Sequence, residues 1–390
     1  MDFPEAGRSG SRLRPTFIAV LLAAAMTMVA YVNVGAQKRT EPDKNPTLVL
    51  ESADNNENSY NNGEFMSILR GNVVFVYDDI TIRSDRATWW RNEGRVYFED
   101  SIRIRRGSQM LTCDRMQFIR QNNRIDAFGR FIYVDTAEQA RMSGEKATYR
   151  IDTRYCTLDG DPRLVKYDTA SAETLTISGL RMFYDDSLKL ATVSDSVVIT
   201  KGSLLARCGS ALYYVDSGMA ALRGVPRVTY DIHQVAGDSI DMKFGKKSLR
   251  SASVYGSAHG VYIDTSGAMR DTSFTHVWGD SLFMSVADSG HLDSLRVCGK
   301  ALSKNYTASR PDVVNQAGGK IMLISFLSGG DVDRFRIWGN ARSTYFIEEN
   351  DSRGVNEATG DSITVVFRQG KASFLNLAGS ARGLFYPDDI

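Results

Sequence analysis

Histidine, proline and closely spaced cysteine are all scarce in this chain of 390 residues. With four His and no Cys pair of CxxC spacing, the sequence lacks the ligand pattern of a zinc ribbon, and we expect neither a metal site nor a cofactor. An excess of basic charge is missing too, because 47 Lys and Arg face 46 Asp and Glu. Phosphate backbones attract proteins with such an excess, so nucleic acid is not an expected partner.

The composition that remains is typical of a folded, β-rich protein. Charged residues make up 24% and hydrophobic residues 43% of the chain, which argues against wholesale disorder. There are 33 Gly against only 8 Pro, together with 17 Tyr and 18 Phe. Abundant aromatic residues favour strands, so composition alone already points to a β-rich fold.

Residues 1–36 form a targeting segment, in which Arg8, Arg12 and Arg14 precede the apolar run 17–34. Small residues follow this run, and the pattern is typical of a signal peptide that is cleaved after Ala36. The alternative is an uncleaved N-terminal anchor, although the run is near the lower length limit for a spanning helix. Either way, we predict one hydrophobic helix here and an exported protein.

Residues 37–64 are polar and rich in Asn, which predicts a tether, with 47–51 fitting a first edge strand. In an exported protein, four cysteines are able to pair as disulfides in three connectivities. Buried free thiols are an equally good interpretation. These cysteines are Cys113, Cys156, Cys208 and Cys298.

Internal repeats are the most informative feature of the sequence. One marker is a Gly or acidic turn before a short strand, and a second marker is a small residue, often followed by Asp, before another strand. The interval from second to first marker is 16 residues in five successive cases: 84 to 100, 113 to 129, 144 to 160, 179 to 195 and 208 to 224. The first markers are Gly71, Asp100, Gly129, Gly160, Asp195, Gly224, Gly256, Gly299, Gly339 and Gly379. The second markers are Ser84, Cys113, Gly144, Gly179, Cys208, Gly237, Gly279, Gly319 and Gly360.

Apolar side chains alternate with polar ones after both markers, which indicates strands with one face in and one face out. The repeats predict a continuous β structure with a trough of roughly 50–70 Å, at about 4.8 Å per strand. Late in the array the repeats lengthen and the inward residue becomes Ala, as at Ala258 and Ala301. We therefore place a sub-domain boundary near residue 240, between 65–240 and 241–390.

Several of these segments resemble the repeat of the OstA-like (organic solvent tolerance, LptA-type) family. That repeat has a GNV strand followed by a strand of the form (I/L)xxDxA. Here residues 70–75 are RGNVVF, 82–87 are IRSDRA, 144–149 are GEKATY and 237–240 are GDSI. The resemblance is clearest over residues 65–240, and the second half is a candidate for another OstA-like jellyroll.

The resemblance implies an elongated β-jellyroll of two facing antiparallel sheets, located in the periplasm. It also implies a non-enzymatic carrier or bridge that holds the acyl chains of lipopolysaccharide, or a related glycolipid, between the sheets. Partners would be other jellyroll subunits joined end to end by strand addition, with self-association as a further expectation. The inward residues expected to contact lipid are Val73, Phe75, Ala87, Trp89, Ile102, Ile104, Met116, Phe118, Phe131, Tyr133, Tyr149, Met182, Tyr184, Val197 and Ile199.

Other interpretations remain open. The inward residues also fit a closed core, which would make the chain a structural scaffold of the cell envelope. Residues 279–282 spell GDSL, a hydrolase motif, with His291 nearby, but an active Ser281 needs a base and an oxyanion hole that converge on it. The same GDS string recurs at 237–239 and 360–362, which favours a structural turn. A β-propeller is disfavoured because repeats of about 30 residues are short for a four-stranded blade.

Overall fold

The computed structural model describes residues 48–387, apart from short stretches that lie mainly at turns. These stretches are 62, 78, 123, 138, 151–152, 154, 169–172, 186, 189, 215–216, 218, 231, 245–248, 266–270, 288–291, 329–330, 350–351 and 369–370. The predicted helix and targeting segment at 1–36 lie outside the described residues. Within the described part, no helix is long and apolar enough to cross a membrane.

The described chain is an antiparallel β structure, which confirms the predicted all-β class. Its one helical turn within the described ranges is a 3₁₀ turn at Arg120–Asn122. The first strands are β1 (Val49–Ser52), β2 (Asn55–Asn61), β3 (Glu64–Tyr77), β4 (Ile80–Trp90), β5 (Arg95–Arg106), β6 (Gln109–Ile119), β7 (Arg124–Asp135), β8 (Ala140–Arg150), β9 (Tyr155–Asp159), β10 (Arg163–Asp168), β11 (Glu173–Ser178), β12 (Arg181–Asp185) and β13 (Leu190–Lys201). The others are β14 (Leu204–Tyr214), β15 (Met219–Arg223), β16 (Arg227–Tyr230), β17 (His233–Ala236), β18 (Ser239–Phe244), β19 (Leu249–Asp264), β20 (Ser273–Val286), β21 (Leu292–Thr307), β22 (Arg310–Phe326), β23 (Val332–Glu349), β24 (Ser352–Arg368), β25 (Lys371–Ala378) and β26 (Arg382–Pro387).

A kink divides most of the long strands into two halves, and the halves form two facing sheets. For example, β3 pairs through its first half with β2 and through its second half with β1. We call sheet I the layer that contains β2, β9, β12, β15, β18 and β25 with the strand halves paired to them. Sheet II contains β1, β10, β11, β16, β17 and β26 with the other halves.

The first repeat marker is the kink itself. All ten first markers have positive φ, and the residue after each also has positive φ, as in Gly71 (72°) and Asn72 (46°). The strand gains one residue relative to its neighbour at this point, because Arg70 pairs with Arg86 whereas Val73 pairs with Ser84. Seven of the ten kinks are therefore β-bulges, and a bulge bends a strand so that it contributes to both sheets. The other three, at Gly160, Gly224 and Gly379, lie between two short strands, one in each sheet.

The Asp after the second marker covers the kink of the next strand. A Cβ atom added at Gly129 would lie 2.5 Å from Oδ2 of Asp114, and one at Gly299 would overlap Oδ2 of Asp280. Only a residue without a Cβ fits beneath these carboxylates at positive φ. The second marker is small for a related reason, because a Cβ at Gly279 would be 2.6 Å from Cγ1 of Val297.

The core lies between the two sheets and runs along the array. Phe75 of sheet II contacts Phe98 of sheet I edge to face, with ring centroids 5.4 Å apart, and also contacts Trp89 at 5.6 Å. Late in the chain the core contains small residues such as Ala258 and Ala301, both nearly inaccessible to solvent. Small side chains at these positions allow the backbones of the two sheets to approach closely.

Two features differ from the sequence predictions. The Asn-rich residues 55–61 are not part of a tether but form β2, because the first half of β3 offers them a full antiparallel register. The array is also longer than 50–70 Å. Each repeat supplies two strands to each sheet, so about twenty rungs at about 4.8 Å give roughly 90 Å. The strands form a continuous ladder rather than separate blades.

The ladder continues across residue 240, where β18 pairs with both β15 and β19. The four strands β15–β18 around this point have only 4–6 residues each, whereas β19 has 16. From β19 to β24 the strands have 14–18 residues, against at most 14 earlier, so the longer late repeats contain longer strands. The division into 65–240 and 241–390 stays a prediction.

Candidate functional site between the two sheets

An apolar cavity of about 100 Å³ lies between the sheets in the first part of the array. Its lining residues follow from the alternation of side-chain direction along a strand, because every second side chain of each half-strand points toward the opposite sheet. The lining residues are Leu48, Tyr77, Ile80, Ile82, Phe98, Ile104, Leu111, Met116, Phe118, Ile125, Ala127, Phe131, Ala147, Tyr149 and Cys156. The cavity is smaller than the roughly 150 Å³ that holds one benzene molecule, so an acyl chain requires the sheets to separate.

Five of the fifteen residues that we predict to contact lipid line this cavity: Ile104, Met116, Phe118, Phe131 and Tyr149. Most of the others are buried in the same core, including Val73, Phe75 and Tyr184, which are 0% exposed. Trp89 and Ile199 are only partly buried and pack against its margin. The predicted set therefore faces inward, and its contact with lipid stays a prediction.

Sequence alternation missed several lining residues. Ile80 and Ile82 precede the second marker rather than follow it, and Leu48 and Tyr77 lie at or beside strand ends. Ile82 pairs with Phe75 on one side and Ile104 on the other, so its inward direction follows from the register. Counting backward from the marker as well as forward would have found Ile80 and Ile82.

A larger polar groove lies on the outer face of the same region of sheet I. Its volume is about 440 Å³. The lining residues are Gln121, Asn122, Arg124, Lys146, Thr148, Arg150, Thr157 and Asp159. Strands β7, β8 and β9 therefore have an apolar cavity on one face and this groove on the other.

The four cysteines are free thiols, which decides between the two interpretations that the sequence leaves open. Burial raises the pKa of Cys113 to about 12, with the charge of Asp114 adding to the effect, and burial raises the pKa of Cys156 to about 12. The pKa of Cys208 rises to about 11 for the same main reason. Thiols with such high pKa values stay protonated and react slowly at neutral pH.

Ser281 of the GDSL motif lies within β20, where it pairs with Tyr255 and Cys298. The preceding Asp280 covers the kink at Gly299, so the GDS string lies beside a bulge in the middle of a strand rather than at the predicted turn. His291 lies outside the described residues. The geometry of residues 279–281 is thus that of a repeated bulge, shared with 237–239.

His259 and His276 contact each other although they appear scattered in the sequence. Their Nε2 and Nδ1 atoms are 3.1 Å apart, and both rings stack on Trp278. Burial lowers the pKa of His259, and the charges of His276 and Arg227 lower it further. Across the described ranges, no three His, Cys, Asp or Glu side chains form a metal-binding group.

Comparison with known proteins matches residues 52–189 to the family described as LptA/(LptD N-terminal domain) LPS transport protein. This match confirms the OstA-like resemblance for that part of the chain. Among solved structures, the chain is similar to LptH from Pseudomonas aeruginosa, the LptA homologous periplasmic component of the conserved lipopolysaccharide transport device. Identity is 10%, with 30% of this chain and 82% of that chain covered and a TM-score of 0.27. No curated protein matches the chain.

Proposed function

We propose, from the premise that residues 52–189 belong to the LptA/LptD N-terminal family of lipopolysaccharide transport proteins, that this chain acts in lipopolysaccharide transport. In this proposal it is a periplasmic binding or bridging protein, and acyl chains occupy the space between sheets I and II. The single observation that supports it best is the apolar cavity lined by residues between 48 and 156, most of which lie within the matched region.

Energetics favour acyl chains as the occupant. The cavity wall consists of aliphatic and aromatic side chains, with Cys156 and the rings of Tyr77 and Tyr149 as its least apolar members. Burial of a methylene group contributes about 0.8 kcal/mol, so a chain of about twelve carbons gains roughly 10 kcal/mol. This free energy would offset the cost of separating the two sheets along the side opposite the kinks. The bulged strands, which belong to both sheets, would keep the sheets joined on the kinked side.

Bridging requires ends that accept another subunit, and the two ends of the array differ. At the C-terminal end, β25 and β26 each pair only with β24 among the described strands. Their side chains include the exposed Phe374, Leu375, Phe385 and Tyr386. An apolar edge with free backbone groups favours strand addition, so we assign this end to a partner jellyroll.

The N-terminal edge is more polar. In β2, Asn58 faces the core side, and its Oδ1 accepts a hydrogen bond from Oγ of the buried Ser67 at 2.7 Å. Asn56 pairs with the buried Leu69 on the same side. This end thus closes the core with amides, and among the described strands β2 pairs only with β3.

Site-specific photo-crosslinking tests the lipid-binding proposal. A photoreactive residue at Phe118, which lines the cavity, should crosslink to lipopolysaccharide in the purified full chain. The matched control is Gln117, the neighbouring residue, which points away from the core on the same strand and pairs with Asp126. We expect a lipid adduct at 118 and none at 117.

A structural scaffold with a closed core is the second candidate, because the cavity is small and most inward residues are fully buried. It predicts no adduct at either position. It also predicts that a folded Phe118→Asp variant behaves toward added lipopolysaccharide as the unchanged protein does. Equal adducts at 117 and 118 would indicate surface adsorption and would contradict the proposed function.

A further inference from the structure

The polar groove on the outer face of sheet I has the features of a second binding site. It lies where β7, β8 and β9 emerge from their turns, and Gln121 and Asn122 of the 3₁₀ turn form one wall. At about 440 Å³ its volume falls in the range of small-molecule sites. It is therefore large enough for more than a single inorganic ion.

Three of the eight residues that line the groove are cationic and one is acidic. Arg124 and Arg150 are directly opposite each other on adjacent strands, an arrangement that is unfavourable for like charges. Within the described part of the chain, no carboxylate forms an ion pair with Arg150 or with Lys146. The ammonium group of Lys146 lies 5.7 Å from the ring centroid of Phe128. Because Arg124 is itself paired with Asp126, an anion bound here would be held chiefly by Arg150 and Lys146.

The acidic residues beside the groove already have cationic partners. Asp126, only 3% exposed, accepts hydrogen bonds from Nε of Arg124 at 2.9 Å and from Oγ1 of Thr148 at 2.7 Å. Asp159 is opposite Lys146 in the register, but its carboxylate forms an ion pair with Arg181. Among the residues that the structure describes, the positive charge of Arg150 and Lys146 is therefore not balanced by a carboxylate and is available to a ligand.

We propose that this groove binds the phosphate-bearing end of a sugar. Arg150 and Lys146 would hold the phosphate, because guanidinium and ammonium groups form strong, charge-assisted hydrogen bonds to phosphate oxygens. Thr157, Gln121 and Asn122 supply neutral donors and acceptors of the kind that sugar hydroxyls require. This inference goes beyond the proposed function, since it does not require lipid between the sheets.

The sugar phosphate has two sources that share this chemistry: a free sugar phosphate, or the headgroup of a phosphorylated glycolipid. The position of the groove allows the second source. Phe118 and Ile125 line the apolar cavity on either side of the same β6–β7 turn that carries Gln121 and Asn122. A lipid with its chains in the cavity would need only to cross this turn to reach the groove.

Calorimetric titration of the full chain with glucose 1-phosphate tests the site. We expect binding that weakens with added salt, and a loss of affinity of at least about ten-fold in Arg150→Gln and in Lys146→Gln. Arg141→Gln is the matched control, because Arg141 is an exposed arginine on the same strand in sheet II. It should bind as the unchanged protein does. Circular dichroism should show that all three variants remain folded.

Three results would overturn the proposal: no binding of glucose 1-phosphate, equal binding of glucose, or equal losses in Arg141→Gln and Arg150→Gln. Inorganic phosphate that binds as tightly as glucose 1-phosphate would also overturn it, because the sugar would then contribute nothing. A second titration uses micelles of a phosphorylated glycolipid. Weaker glycolipid binding in Arg150→Gln identifies the headgroup as the ligand, whereas an unchanged value identifies a free sugar phosphate.

The two proposals fail separately. Phe118→Asp removes an apolar wall of the cavity and leaves the side chains of the groove in place. It should lower lipid capture and leave the titration with glucose 1-phosphate unchanged. Absence of lipid adducts at 118 would contradict the proposed function alone. Absence of glucose 1-phosphate binding would contradict the groove alone.

Discussion

Two glutamates meet at the first hairpin of sheet I. Glu64 begins β3 and Glu93 lies in the turn after β4, and their carboxyl groups interact. Two carboxyl groups bond to each other only when they share a proton. The hydrogen bond to Glu93 therefore raises the pKa of Glu64, with desolvation and the charge of Glu93 adding to the shift and Arg95 opposing it.

This pair makes stability depend on pH. A carboxyl pKa that is raised by folding stabilises the protein fully below the unfolded value, and the contribution is lost as pH rises through the folded value. We therefore expect Glu64→Gln to raise the midpoint of thermal unfolding at pH 7 and to have little effect near pH 3. Thermal melts at both pH values measure the difference.

Glu51→Gln provides the control for the glutamate pair, because Glu51 is an exposed glutamate of β1. Its effect should be small at both pH values. A Glu64→Gln variant that is less stable than the unchanged protein at pH 7 would contradict the shared proton.

The kink is the element that allows one strand to belong to two sheets. Asp114 is held above Gly129 because Nε and Nη2 of Arg130 donate hydrogen bonds of 2.8–3.2 Å to its carboxylate. A side chain at position 129 would therefore clash with a carboxylate that is fixed in place. This clash would add to the backbone strain of a non-glycine residue at positive φ. Repetition of this arrangement explains why the Asp and Gly markers recur at fixed intervals.

Gly129→Ala should destabilise the protein by about 2–3 kcal/mol, of which about 1–2 kcal/mol is the left-handed backbone. Gly63→Ala isolates that backbone cost, since Gly63 has φ 83° and no atom within 4 Å of the added Cβ. Chemical denaturation of both variants gives the difference between them. If Gly129→Ala and Gly63→Ala lose the same free energy of unfolding, the carboxylate of Asp114 does not clash with the added methyl group.

At the scale of the whole molecule, the described strands form a ladder whose first and last strands pair on one side only. Each interior strand of the described ladder pairs with a strand on either side, so unpaired backbone groups are concentrated at its first and last strands. The exposed apolar side chains Phe374 and Leu375 mark the last of these. Assembly should therefore depend on the end strands rather than on the faces of the sheets.

Leu375→Lys should weaken self-association of the purified protein by about ten-fold or more, because a lysine on an edge strand opposes pairing with another chain. Analytical ultracentrifugation over a range of concentrations measures the effect. Leu188→Lys is the matched control, since Leu188 is 66% exposed but lies in the turn between β12 and β13. A monomer at every concentration would contradict self-association through this edge, as would equal effects of the two variants.

Much of the fold follows from local rules. Alternation of side chains is a property of each strand, so residues such as Val73 and Ile102 were assignable to the inner face without knowledge of their neighbours. The bulges were visible as markers because positive φ selects Gly and small polar residues. The same local rule failed for residues 55–61, since polar side chains on an edge strand resemble those of a tether.

The candidate sites were less predictable. The alternation found Phe118 but not Leu48, whose place in the cavity depends on the pairing of the adjacent β1 with β3. The polar groove was not predicted, because its members come from a turn and three strands whose outward residues look individually like an ordinary solvated surface. Arg124 and Arg150 become a pair only through the register of β7 and β8.

By itself, the sequence determined the all-β class, the repeat and the inward face, because each depends on the conformation of a few consecutive residues. The tertiary structure alone decided that the cysteines are free, that His259 meets His276, and that one group of strands has an apolar cavity on one face and a cationic groove on the other. These features depend on which distant segments become neighbours. Such pairings are set by the register of the whole ladder, which no short stretch of sequence contains.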